Sequence, residues 1–119
     1  MKIRIHRNVL RLRLSQAEVE LFGKNGQVFD SINFGVGAMK YQLLSIADNT
    51  DILSRFEENC ITIEVPSQHA TEWVQTDQVS LENANQESLK ILVEKDFKCL
   101  HKRTSDEDAD SFPNPMADN

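Results

Sequence analysis

Lys2-Ile3-Arg4-Ile5-His6-Arg7-Asn8-Val9-Leu10-Arg11-Leu12-Arg13-Leu14, followed by Ser15-Gln16-Ala17-Glu18, decides the fold. Apolar and basic residues alternate on both sides of Arg7-Asn8, and a period of two is the signature of strands. Asn tolerates the left-handed backbone of tight hairpin turns, so a two-residue loop is expected at Arg7-Asn8. That loop pairs Ile5 with Leu10 and Ile3 with Leu12 on one face. On the other face it pairs Arg4 with Arg11 and Lys2 with Arg13. A slip of one residue would mix the two faces, so the clean sorting supports this register. Ser15 to Glu18 then fits a capping box, with the Ser hydroxyl accepting a backbone N–H and Glu18 reaching back.

The rest of the chain extends this pattern. Ala17, Leu21, Val19 and Phe22 are expected on the buried side of the first helix, which Gly23 and Gly26 end. Strands are expected at Val28–Phe34 and Lys40–Ile46, flanking a Gly35-Val36-Gly37 loop and ending at an Asp48–Asp51 turn. Ser54–Glu57 and Cys60–Val65 form a second hairpin around Glu58-Asn59. Residues 67–75 form a second helix opened by Pro66-Ser67. Strands at Gln78–Leu81 and Leu89–Phe97 close the pattern around a polar loop at 83–87.

A shift of 51 residues lays one half on the other. Asn8 falls on Asn59, Leu10 on Ile61, Leu12 on Ile63 and Leu14 on Val65. Val19 falls on Ala70, Phe22 on Trp73 and Gln27-Val28 on Gln78-Val79. Phe22 and Trp73 are expected to pack their helices on the sheet. The fold class is therefore α+β, with duplicated strand-strand-helix-strand-strand halves at about 1–51 and 52–103. Eight antiparallel strands and two helices suit a closed barrel or a strongly curved sheet, and closure removes exposed edges. Residues 104–119 form an acidic, flexible tail.

Composition narrows the function. The net charge is −6, but residues 104–119 hold five acids (Asp106, Glu107, Asp108, Asp110, Asp118) and no base. The remaining body carries 13 bases and 14 acids, so it is close to neutral. That argues against general nucleic-acid binding, which rests on clustered bases neutralising phosphates. No run reaches the roughly 20 apolar residues of a membrane helix. The start of the chain lacks the continuous apolar stretch of an export signal. A cytoplasmic location follows as an expectation, with Cys60 and Cys99 as reduced thiols.

Three segments are candidates for chemistry. Arg4 opposite Arg11 is a like-charge pair and needs relief from solvent, acids or an anionic ligand. With both hairpins facing a barrel interior, Arg4, Arg11, Arg13, Arg55, Glu57 and Glu64 line it, joined by Lys90 or Glu94. Arginines in such a lining suit a phosphorylated ligand. The same alternation also fits the solvent face of an antiparallel sheet. Cys99 and His101 lack the second ligand pair of a zinc site, and His69 reads as a surface residue. Asp106-x-Asp108-x-Asp110 fails as a calcium loop because Ser111 and Ala117 stand where Gly and Glu are needed. The acidic tail also has a basic hairpin it could mask. No catalytic residue, metal or cofactor is assigned.

Two resemblances add to this. The duplicated order resembles the wide barrels of the CYTH-like triphosphate tunnel fold. That likeness implies a charged barrel lining that binds triphosphates with a metal. The sequence departs from that family's opening Glu-x-Glu-x-Lys strand, having Lys2-Ile3-Arg4-Ile5-His6 instead. Lys-Ile-Arg-Ile and Leu-Arg-Leu-Arg-Leu-Ser-Gln-Ala-Glu-Val at the start, Ile-Thr-Ile-Glu-Val-Pro and Thr-Asp-Gln-Val in the middle, and Val-Glu-Lys-Asp-Phe-Lys-Cys-Leu with Phe-Pro-Asn-Pro at the end resemble a family of short, uncharacterised bacterial proteins. This likeness covers nearly the whole chain and implies a bacterial cytosolic protein without assigned catalytic residues. The expected function is a non-enzymatic binding module for an anionic ligand or a protein partner. The alternative is a metal-dependent phosphohydrolase-like enzyme on a CYTH-like barrel. A third reading is a protein that works through an exposed edge or its tail.

Overall fold

The structure, a computed structural model, describes residues 1–97 and 112–113. Expectations for Cys99, His101 and the acidic run lie outside the described residues. The element order is β1 (Lys2–His6), β2 (Val9–Leu14), α1 (Gln16–Asn25), β3 (Gln27–Asn33), β4 (Ala38–Ile46), β5 (Leu53–Glu57), β6 (Cys60–Pro66), α2 (Ser67–Gln75), β7 (Ser80–Glu82) and β8 (Lys90–Lys95).

The first hairpin has the expected register, with Ile5 opposite Leu10 and Arg4 opposite Arg11. Its positive φ falls on Arg7, at 56°, and not on Asn8. In the second hairpin both turn residues, Glu58 and Asn59, take positive φ (51° and 61°), as a type I′ turn requires.

The capping box at the start of α1 is present in both directions. Glu18 N donates to Ser15 Oγ, and Ser15 N donates to Glu18 Oε1 at 2.8 Å. Gly26 ends the helix in the left-handed conformation, φ 73°, and its N–H bonds Phe22 O. Val19 and Phe22, three residues apart on one face, are the residues buried. Ala17 and Leu21 lie on the opposite side and are exposed, contrary to the expectation for them.

The strands do not close into a barrel. They form two four-stranded sheets, β1-β2-β8-β7 and β3-β4-β6-β5. Both sheets are mixed, because β2 runs parallel to β8 and β4 runs parallel to β6. The expectation of one antiparallel barrel is thereby corrected. The physical reason is that each half sends its two hairpins to different sheets, so each inner strand finds its second neighbour in the other half. Exchanging every element for its counterpart half a chain away turns one strand order into the other. The offset is not constant. Leu43 opposite Ile63 corresponds to Val93 opposite Leu12, and Val28 beside Leu43 corresponds to Leu81 beside Val93. Val79, which a fixed shift of 51 matches to Val28, is instead exposed.

One hydrophobic cluster joins both sheets and both helices. Leu12, Leu43, Ile63 and Val93 sit on the inner strands and are fully buried. Phe22 and Trp73 meet edge to face, ring centroids 6.2 Å apart, so each packs on the other helix's aromatic as well as on the core. Trp73 satisfies its indole N–H on Val79 O at 3.1 Å. A Cβ on Gly23 would stand 2.7 Å from Val74 Cγ1, which marks where the two helices approach closely.

Gly23→Ala is expected to lower stability by about 1 kcal/mol or more, because overpacking against a stiff β-branched side chain outweighs the gain in helix propensity. Gly37→Ala, where a Cβ meets nothing within 4 Å, is the control and is expected to be neutral or slightly stabilising. Urea unfolding of both variants checks this.

Candidate functional site

The residues expected to share a charged lining divide between the two sheets. Arg4, Arg11, Arg13 and Glu94 lie on the sheet of β1, β2, β7 and β8. Arg55, Glu57 and Glu64 lie on the other sheet. Two separate clusters result.

In the first cluster, parallel addition of β8 sets Glu94 beside Arg13 in register. Glu94 Oε1 lies 3.3 Å from Arg13 Nε and 3.4 Å from Arg11 Nε. An acid from a neighbouring strand thus relieves the like-charge opposition in the first hairpin. Lys2 Nζ reaches Asp96 Oδ2 at 2.9 Å, and Lys90 lies alongside Val9.

In the second cluster, Arg55 lies 2.9 Å from Glu57 Oε1 and 3.1 Å from Glu64 Oε2. The hydrogen bonds Arg55 donates to Glu57 and then to Glu64 raise its pKa above the ordinary value. Thr62, the counterpart of Arg11, is buried and accepts from Gln42 Nε2 at 2.9 Å.

Arg55 and Glu64 also line a cleft of about 530 Å³ between the start of β5 and the loop joining β7 to β8. Arg4, Arg11, Arg13, Glu57 and Glu94 are not among its walls. Ile52, Leu53, Leu89 and Ile91 supply its apolar surface, while Asn85 and Ser88 supply polar groups. Two residues fix the loop wall, and sequence reading assigned a role to neither. Asn83 is buried, donates to Asn85 O and Leu89 O, and accepts from Ile91 N. Asp51 accepts from the backbone N–H groups of Ile52, Ala84 and Asn85 at 2.8–3.0 Å. Burial raises the Asp51 carboxyl pKa, but these three bonds outweigh it and hold the group below its ordinary value. The Asp48–Asp51 run carries a turn signal, yet nothing local tells that Asp51 reaches residues more than thirty positions on.

Phe34, Val36, Met39, Phe56 and Asn59 surround a separate groove of about 310 Å³. Phe34, Val36 and Phe56 are 61%, 101% and 69% exposed. Phe56 pairs with Ile61 and so shares the face that Leu43 and Ile63 bury. Sequence reading gave Phe56 no role, and no sequence signal separates an exposed apolar residue of a strand from a buried one. Among the described residues no three His, Cys, Asp or Glu side chains are grouped to hold a metal ion. No helix among them is long and apolar enough to cross a membrane.

The structure defines an α+β protein of two mixed four-stranded sheets with two helices in a shared core, and with surface clefts along one edge strand. The chain matches the family of unknown function DUF7009 over residues 1–116 and belongs to it. No curated protein and no solved structure matches it.

Asp51→Ala is expected to cost about 1–2 kcal/mol, because it leaves the Ala84 and Asn85 N–H groups without their acceptor. The depressed Asp51 pKa stabilises the fold above the carboxyl's ordinary value of 3.8. That contribution fades as pH falls through the lower folded value. Urea titrations between neutral pH and about pH 3 are expected to show a smaller acid loss in the variant than in the natural chain. Glu94→Gln is expected to destabilise by about 1 kcal/mol at low salt by leaving Arg11 beside Arg13, and by less at about 0.5 M NaCl.

Proposed function

We propose that this protein is a non-enzymatic binding module that docks a protein partner on the β3-β4-β6-β5 sheet, at the end carrying Phe34, Val36, Met39 and Phe56. The observation that carries the reading is the set of large apolar side chains left in solvent around one groove. Isolated exposed apolar residues are ordinary, but a contiguous group beside an open sheet edge marks an interaction surface. Hydrophobic and aromatic residues of this kind form the centre of protein interfaces.

An anionic ligand has less support. Arg11, Arg13 and Arg55 each lie against a carboxylate that an incoming anion would have to displace. Arg4, Arg11, Arg13, Arg55, Glu57, Glu64 and Glu94 are better read as two ion-paired sheet faces, one with basic and one with acidic excess, that keep the module soluble and its strands in register. The enzyme alternative needed a closed, charged barrel, and two separate sheets do not supply one. The likeness to bacterial proteins supports action in the bacterial cytosol.

Phe56→Ser and Val36→Ser are expected to leave stability within about 0.5 kcal/mol, because both positions are exposed. Crosslinked capture with natural and doubly substituted protein then tests the surface. A protein held by the natural chain, lost by the variant and bound again after purification supports the reading. Equal retention by both overturns it.

A further inference from the structure

Among the described residues, the strand that borders the apolar groove is also an open edge. β5 pairs with β6 on one side, and it ends the sheet order on the other. All five of its residues are exposed. Its two-residue turn makes Glu57–Cys60 a hydrogen-bonded pair, and such pairs alternate along an antiparallel ladder. The N–H and C=O groups of Arg55 therefore face β6. Those of Ser54 and Phe56 face outward.

The order of side chains along β5 is self-complementary. When a second β5 runs antiparallel beside the first about Phe56, the outward groups of the two Phe56 residues meet as a hydrogen-bonded pair. The rings lie opposite each other on the face that borders the apolar groove. On the other face Arg55 of each chain stands opposite Glu57 of its partner, twice. Opposite charges so placed favour a pairing, and an aromatic pair adds to it. Arg55 already bonds Glu57 within one chain at 2.9 Å, so its guanidinium is on the correct face with the correct partner type.

The counterpart edge, β1, cannot do this. The same operation about Ile5 places Arg4 opposite His6, with Lys2 and Arg7 nearby, and bases guard that edge as charges commonly do.

We propose that a second copy of this chain is the occupant of this surface, with the two β5 strands joined antiparallel about Phe56 into one continuous sheet. This rests on the reading of that sheet end as a protein-docking surface and names the partner. The cleft beside Leu53, Ser54 and Arg55 gives room for the partner's turn residues, Glu58 and Asn59. The pairing gives an isologous, closed dimer, the commonest oligomer symmetry.

The test uses the full chain in sedimentation equilibrium from about 5 to about 500 μM, the regime of small interfaces. The natural protein is expected to approach twice the monomer mass with rising concentration. Arg55→Glu sets Glu against Glu and Glu57→Arg sets Arg against Arg, so each variant alone is expected to associate at least about tenfold more weakly. A 1:1 mixture of the two restores both opposite-charge pairs and is expected to recover the dimer, a result that loss of folding cannot mimic. Amide exchange at the Ser54 and Phe56 N–H groups is expected to slow with concentration, while exchange in β1 does not. A natural chain that stays monomeric, or a dimer indifferent to both charge variants, overturns the self-pairing. Capture of a different protein that depends on Phe56 and Val36 would then leave the docking surface standing without it. Equal capture by natural and substituted chains would remove both.

Discussion

The inner strands cannot be satisfied within their own half of the chain, and everything else follows from that. β2 has one edge filled by β1, and its other edge is filled by β8, some eighty residues away. β6 is filled in the same way by β5 and β4. Leu12, Val93, Leu43 and Ile63 lie on these inner strands and are fully buried. A buried backbone donor or acceptor without a partner costs about 1–3 kcal/mol, so neither half can bury its core side chains alone. The parallel seams make the two halves one cooperative object. They also add two non-local pairings to four local hairpins, and closing the long loops between such distant strands slows folding.

The same seams settle the charges. Arg4 and Arg11 oppose each other in the first hairpin because the register that sets Ile3, Ile5, Leu10 and Leu12 on one face leaves no other choice. The strand that completes the sheet brings Glu94 to Arg11 and Arg13. In the other sheet the counterparts of those arginines are Thr62 and Glu64, and the acid meets Arg55 instead. Each sheet thus pairs its opposite charges by its own arrangement, with an excess of base on one and of acid on the other.

The two outer strands β1 and β5 differ in the opposite sense. Both carry a core-face apolar residue, Ile5 or Phe56, that the body leaves exposed. β1 surrounds its residue with Lys2, Arg4, His6 and Arg7. β5 offers Arg55 and Glu57, which repel nothing of their own kind when the strand is turned around. An edge guarded on one sheet and complementary to itself on the other is a distinction with consequences for association.

By itself the sequence determined the α+β class, the two hairpin registers, the capping box at Ser15, the second helix at 67–75 and the correspondence of the two halves. All but the last rest on interactions between residues close in the chain, where side-chain period and turn chemistry leave few alternatives. It also determined that Phe22 and Trp73 would be buried. Only the tertiary structure decided that the strands would form two mixed sheets and not one barrel. It alone split the charged residues into two clusters, sent Asp51 to the loop at 84–85, and left Phe56 in water while Ile61 and Ile63 went under cover. Each of these depends on which strand lies beside which. Periodicity fixes the face on which a side chain stands, but it carries no information about the neighbour that face will meet.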